Sequence, residues 1–166
     1  MIKIIAAMSN NGCIGQKGAL PWHLPPDLDF FKEMTKGQIV LMGRRTWDSL
    51  PVKPLPSRKN VIISRDLNLP EYPNVRIFRN INYALPVMEN LSLETQQDIY
   101  LIGGSTIFRQ AFAGTYVKEM LLTTVDMWCP GDAFFPEVKK DDWNIDKILE
   151  GHYKDLKFEI NRWIRK

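Results

Sequence analysis

The sequence predicts an α/β protein built on a mostly parallel sheet, and three observations carry that expectation. Residues 2–8, 38–42, 60–63 and 98–102 are short, almost wholly apolar runs without alternation. Such runs are typical of strands covered on both faces, as in parallel sheets. Between them lie segments with helical periodicity and helix start and stop signals. Only the terminal stretch, residues 157–164, alternates apolar and polar side chains, so it reads as an antiparallel or edge strand with one solvated face.

In chain order, the first strand, residues 2–8, ends in the turn Ser9-Asn10-Asn11-Gly12. A loop follows in which Gly15 and Gly18 permit mobility. It leads into Leu20-Pro21-Trp22-His23-Leu24-Pro25-Pro26, where prolines hold the chain extended and Pro26 suits the first turn of a helix. From Asp27 the pattern is helical. Asp27 shares a face with Phe30, Phe31 and Met34, whereas Asp29 lies with Lys32, Glu33 and Lys36 and reads as a solvated charge. Two readings of Asp27 stand side by side. One is an ordinary first-turn acid favoured by the helix dipole. The other is a carboxylate walled by Trp22, Leu28 and Phe31, which needs a hydrogen-bonding partner or its pKa rises. A flat heterocycle with an amidine-like edge would supply two parallel N–H donors. The helix stops at Lys36-Gly37, a cationic end followed by a C-cap glycine.

The strand at 38–42 breaks at Gly43, and Arg44-Arg45-Thr46-Trp47-Asp48-Ser49-Leu50 reads as a short helix closed by Pro51. This is either an anion site at a helix N-terminus or a surface-basic helix start. A Pro-rich loop holding Lys53 and Arg58 precedes the strand at 60–63, which ends in Ser64-Arg65-Asp66. Two strands thus deliver Arg44, Arg45, Ser64 and Arg65 to one sheet edge, the carboxyl edge where ligands bind in open α/β sheets. Residues 67–74 read as a polar, proline-containing loop and 75–78 as a fourth strand. Asn80 is placed to cap a helix through residue 90, with Ile81, Leu85 and Met88 on one face, and Pro86 is expected to kink or shorten it. The strand at 98–102 runs into Gly103-Gly104 and a helix from Ser105. Glycines there let a ligand reach the backbone, but a tight strand-to-helix turn explains them equally, and no G-x-G-x-x-G is present. Residues 120–125 form a further strand interrupted by Thr123, which either faces the cleft or is a satisfied β-favouring threonine. Pro130-Gly131-Asp132 is a turn.

Composition narrows the function classes. A chain of 166 residues is the size of one domain, able to bury about two-thirds of its unfolded surface. The 45% hydrophobic and 25% charged content is that of an ordinary globular protein. A net charge of +3 suits anionic small molecules, and without a long basic run it makes no case for nucleic acid. No stretch is long and apolar enough to span a membrane, and the N-terminus lacks leader features. Cys13 and Cys129 have no C-x-x-C spacing and read as free thiols in a reducing, cytoplasmic compartment. His23 and His152 lack ligand spacing, so no metal site is expected.

Taken together, Ile5-Ala6-Ala7, Ile14-Gly15, Leu20-Pro21-Trp22, Leu24-Pro25, Asp27-Leu28 through Phe31-Lys32, Met42-Gly43-Arg44, Thr46-Trp47, Pro54-Leu55-Pro56, Arg58-Lys59-Asn60, Ile102-Gly103-Gly104 and Gly131-Asp132 before Phe135-Pro136 resemble bacterial dihydrofolate reductases. The resemblance runs over nearly the whole chain. It implies a three-layer fold with an eight-stranded, mostly parallel sheet, an antiparallel C-terminal strand and about four helices. Residue-level reading alone finds six or seven strands. It also implies NADPH-dependent reduction of dihydrofolate to tetrahydrofolate for one-carbon metabolism, antifolates as competing ligands, and a monomer.

By the same resemblance, Asp27 accepts from the pterin ring amide and exocyclic amine, and Asp27, Leu20 and Trp22 form the catalytic set. The apolar walls are Ile5, Ala7, Leu28, Phe31, Leu50, Leu55 and Ile102. Arg58 pairs with the substrate's α-carboxylate, helped by Lys32 and Lys53, and Thr123 is a water-mediated or indirect pterin contact. Arg45, Ser64 and Arg65 fall at the adenosine 2′-phosphate. Arg44, Thr46, Gly103, Gly104, Ser105, Thr106 and Ile107 fall around the pyrophosphate and nicotinamide, joined in the cofactor set by Ala7, Ile14, Gly15, Gly18, Leu20, Gly43, Arg79, Ile102 and Phe108. Residues 14–20 resemble a loop that closes on nicotinamide, with Asp132 as its clasp. Ser105 and Thr106 replace Gly and Arg of one common pattern, and Phe108 stands where tyrosine is frequent. Two other readings share the cofactor side of this pattern: a pyrimidine reductase of riboflavin synthesis on the same fold, and a nucleotide-binding regulatory module without chemistry.

Overall fold

The computed structural model describes residues 1–66, 68, 69 and 71–166. The elements are β1 (Ile2–Ser9), β2 (Cys13–Gly15), α1 (Pro25–Thr35), β3 (Ile39–Gly43), α2 (Arg44–Ser49), β4 (Lys59–Ile63), β5 (Val75–Phe78) and α3 (Ile81–Thr95). They continue with β6 (Ile99–Gly103), α4 (Ser105–Ala113), β7 (Glu119–Val125), β8 (Ala133–Phe134), β9 (Trp143–Tyr153) and β10 (Leu156–Arg165). Eight strands form one sheet in the order β5-β4-β3-β6-β1-β7-β10-β9, and β10 alone runs against the rest. A short ribbon, β2–β8, stands apart.

The apolar runs divide between two faces with period two, as the pleat requires. Ile2, Ile4, Ile39, Leu41, Val61, Ile99 and Leu101 pack against Ile81, Leu85 and Met88 of α3 and Ile107, Phe108 and Ala111 of α4. Ile5, Val40, Met42, Ile62 and Tyr100 pack on the other side with Trp47 of α2 and Phe30, Phe31 and Met34 of α1. Helices on both faces explain why these strands carry no alternation. At the amino ends of the strands Lys3 meets Asp98 at 2.9 Å and Glu119 at 3.5 Å, and Arg162 grips both Glu119 oxygens at 3.0 and 3.3 Å.

Two helices and one strand depart from expectation. Helix α3 is neither ended nor shortened by Pro86 and runs to Thr95, five residues past the expected end. Pro86 lies on the exposed side, so the Asn82 carbonyl it leaves without an N–H can turn to water. Its start is as expected, with Asn80 accepting from the Asn82 N–H at 2.8 Å. Helix α1 holds Pro26 in its first turn as expected but begins one residue before it, at Pro25. Strand β9 escaped prediction because it is an edge strand exposed along most of its length, where Asp146, Lys147 and Glu150 interrupt any apolar run. A register shift beside Ile160/Asn161 protects that edge further. Within the loop expected at 67–74, Leu67 and Pro70 lie outside the described residues.

Candidate active site

Asp27 sits on the inward face of α1 and is only 9% exposed. The Thr123 hydroxyl donates to its Oδ1 at 2.6 Å, across 96 residues of sequence. Strand order makes this possible: β7 pairs with β1 so that Thr123 lies opposite Ala7. Burial pushes the Asp27 carboxyl above its ordinary range, and the Thr123 hydrogen bond works weakly the other way. No cation pairs with Asp27 among the described residues. A carboxylate in this state invites a donor-bearing ligand.

A cleft of about 1070 Å³ opens from Asp27 across the carboxyl ends of β1, β3, β4 and β6. That exceeds the roughly 300–1,000 Å³ of a pocket for one drug-sized ligand. Its first compartment is apolar, lined by Ile5, Ala7, Leu28, Phe31, Leu50 and Ile102 around the carboxylate. Its second contains Gly43, Arg44, Arg45, Thr46, Ser64, Arg65, Arg79, Gly103, Gly104, Ser105, Thr106, Ile107 and Phe108. Ile14, Gly15, Gly18 and Leu20 also line the cleft, and Leu20 is 45% exposed.

The cationic compartment has an open backbone floor. Gly103 adopts φ +127°, where any L side chain is strained, and a Cβ there would point at Thr46 Oγ1 3.5 Å away. Gly104 caps α4 without a side-chain bond, so the first N–H groups of that helix are unspent. Phe108 fills the space beneath, packed on Phe135 at 5.1 Å. Arg44 is engaged locally: its Nε meets the Asp48 oxygens at 3.0 and 3.2 Å, and Asp66 lies 3.7 Å from Nη1. Arg45, Arg65 and Arg79 are exposed and pair with no carboxylate among the described residues. Ser64 donates to the Asp66 carbonyl at 2.7 Å.

The loop between β2 and α1 is tied at its base. Gln16 and Ala19 exchange backbone bonds, Asp132 Oδ2 accepts from the Lys17 N–H at 3.0 Å, and the Asp132 N–H donates to the Gly15 carbonyl at 3.0 Å. Cys13 and Cys129 are buried, unpaired thiols.

Six expected site residues stand outside the cleft wall. Thr123 lies behind Asp27. Trp22 packs with Leu24, Val125, Phe158 and Ile160, its indole N–H buried without a partner. Arg58 is buried below α1, where Nε donates to Thr35 Oγ1 at 2.8 Å, Nη1 to the Pro56 carbonyl at 2.9 Å, and the guanidinium lies 5.8 Å from the Phe31 ring centre. Burial lowers its pKa, and no carboxylate answers it among the described residues. Leu55 packs with the α1 face, while Lys32 and Lys53 are exposed. Conversely, Ala6, Ser49, Ile63, Asp66, Gln110 and Ala133 line the cleft with no site role expected for them. Proximity was the available signal: Ser49 follows Thr46 by one helical turn, and Ile63 precedes Ser64.

Fold and cleft define an α/β protein with two adjoining compartments, one cationic and open to backbone, one apolar around a single carboxylate. The sequence profile described as "Dihydrofolate reductase" matches residues 1–165. A dihydrofolate reductase of Neisseria gonorrhoeae is 40% identical over 142 residues, covering 86% of this chain and 83% of its own. One of Buchnera aphidicola from Acyrthosiphon pisum is 39% identical over 138 residues, covering 83% and 80%. One of Haloferax volcanii is 37% identical over 145 residues, covering 84% and 73%. The chain belongs to the dihydrofolate reductase family.

Proposed function

We propose that this chain, acting as one domain, reduces 7,8-dihydrofolate to 5,6,7,8-tetrahydrofolate with NADPH. The observation that carries this reading is Asp27, a buried carboxylate with one oxygen held by Thr123 and no cation among the described residues to satisfy it. The pterin edge offers a ring amide N–H and an exocyclic amine at the spacing a carboxylate accepts. The walls Ile5, Ala7, Leu28, Phe31, Leu50 and Ile102 suit the flat ring and keep water away. Arg58, buried and without a carboxylate partner among the described residues, suits the substrate's α-carboxylate, with Lys32 and Lys53 as exposed helpers.

The cationic compartment fits NADPH. The side-chain-free floor at Gly103 and Gly104 and the first turn of α4 suit the diphosphate, and Arg45, Ser64 and Arg65 suit the ribose phosphate. NADPH, when bound, supplies the hydride for pterin C6. The protein's own contribution is positional and electrostatic. Asp27 grips the edge of the ring remote from N5, so it does not pass a proton there directly. Its negative charge favours the ring protonated at N5, and the proton arrives from water admitted beside Leu20, with Trp22 packed behind the wall.

The test is the loss of reduced-nicotinamide absorbance on mixing protein, NADPH and dihydrofolate, for the parent and Asp27→Asn across pH. The parent turns over. The variant loses roughly a hundredfold or more at neutral pH and recovers at acid pH, where preprotonated substrate reacts. Equal loss at every pH removes this role from Asp27. No turnover with NADPH still bound points instead to a riboflavin-pathway substrate or to a regulatory module.

A further inference from the structure

Cys13 and Cys129 have no part in the chemistry above, and both are buried as free thiols. Chain segments 9–15 and 127–135 run side by side around them. The Asn10 N–H donates to the Met127 carbonyl at 2.9 Å, and the Phe135 N–H donates to the Gly12 carbonyl at 2.8 Å. Asn11 grips Cys129 by its backbone. Its side-chain oxygen accepts from the Cys129 N–H at 3.0 Å, and its amide donates to the Cys129 carbonyl at 2.8 Å. Cys13 is held as closely: its N–H donates to Ser9 Oγ at 3.1 Å, and its thiol donates to the Gly15 carbonyl at 3.4 Å. The Cys13 sulfur fills the space that a Gly131 side chain would need, two residues beyond Cys129. The two thiols are neighbours: burial pushes the Cys129 thiol up, and the Cys13 thiol beside it pushes it further.

Buried thiols are inert while they stay covered. Here the cover is slight. The ribbon over Cys13 has three residues in β2 and two in β8, and it stands apart from the main sheet. A two-stranded ribbon of that size is marginal by itself. Units with so few backbone bonds open locally without global unfolding.

We propose that Cys13 and Cys129 form a redox-sensitive clasp: when the β2–β8 ribbon opens, they exchange with a small-molecule disulfide and close into a disulfide that pins the base of the loop leading to Leu20. One protein thiolate attacks a sulfur of the small disulfide and expels the other half as a thiolate, leaving a mixed disulfide. The second protein thiolate attacks the protein-bound sulfur and releases the remaining half. The two cysteines together lose two electrons and two protons, and the small disulfide becomes two thiols. The new bond joins β2 to the segment that carries Asp132, whose carboxylate already accepts from the Lys17 N–H. Gly15, Gly18 and Leu20 line the cleft, so the clasp acts at its border. Nothing in this step depends on the reaction that the cleft performs.

The experiment incubates the reduced chain with excess oxidised glutathione, then alkylates it in denaturant. Intact mass and peptide mapping without reductant give the readout. The parent should become lighter by two hydrogens, yield a peptide pair joined through Cys13 and Cys129, and recover both alkylatable thiols with dithiothreitol. Backbone amides of residues 13–20 should then exchange hydrogen about tenfold more slowly than in the reduced chain, because local opening is curtailed. Cys129→Ser, left with one thiol, should show neither the bridge nor the slower exchange. Two attached glutathiones, two surviving thiols, or a bridge between separate chains each overturns the clasp. A Cys13–Cys129 bridge that leaves amide exchange unchanged overturns the pinning of the loop. These outcomes are read on the parent itself, so they stand whether or not the variant folds.

Discussion

Asp27 sits in surroundings that disfavour its charge. Its folded-state pKa lies above the ordinary 3.8 because burial penalises the charged form, despite the Thr123 hydroxyl. Between 3.8 and that raised value the folded chain holds more protons than the unfolded one. Stability therefore falls as pH rises through this window, and the loss is complete above it. Asp27→Asn keeps the Thr123 hydrogen bond through its amide oxygen and removes the charge. We expect the variant to be more stable than the parent at neutral pH by about 1 kcal/mol, the usual scale for relieving one unfavourable functional-site group. Denaturant unfolding should show that gain shrinking as pH falls and vanishing below 3.8. A gain that persists at low pH would mean shape, not charge, is responsible.

Elements show where sequence reading succeeds and where it stops. Strands β1, β3, β4 and β6 were legible because burial on both faces writes itself as continuous apolar runs. Helix α3 past Pro86 was not, because the penalty for proline depends on whether the orphaned Asn82 carbonyl faces water, which only the fold decides. The ribbon β2–β8 was unreadable because three- and two-residue strands carry no period. Its geometry nonetheless hangs on one glycine. A Cβ on Gly131 would overlap Cys13 Sγ and the Gly15 carbonyl oxygen. The oxygen belongs to backbone that is itself tied to Asp132, so it cannot simply swing aside. Gly131→Ala should cost about 1–3 kcal/mol by this overpacking, read as a lower thermal midpoint. An unchanged midpoint would mean the ribbon yields freely.

Across the molecule, the two ends of the parallel strands hold different things. Carboxyl ends carry the cleft, and amino ends carry the linked charges of Lys3, Asp98, Glu119 and Arg162. Glu119 is 5% exposed and serves both cations. Glu119→Gln should cost about 2 kcal/mol, less than the full penalty for breaking a buried pair because Arg162 is half-exposed. Turnover at the opposite end should be unchanged, and a fall in turnover matching the fall in stability would deny that the ends are separable. This network was invisible in sequence for the same reason the Asp27–Thr123 link was. Each residue is ordinary where it stands, and only the order β6-β1-β7-β10 brings residues 3, 98, 119 and 162 together. Arg58 was readable as a charge in a Pro-rich loop, but its burial beneath α1 depends on packing against Phe31 and Thr35.

The buried carboxylate also bears on heredity. If asparagine at position 27 folds more firmly, random substitution and selection for folding both push that codon away from aspartate. A lineage that obtained reduced pterins from its surroundings would lose nothing by the change and would gain a sturdier protein. Aspartate at this position is then kept only by continuing demand for the reaction, and its replacement in a descendant would date the end of that demand.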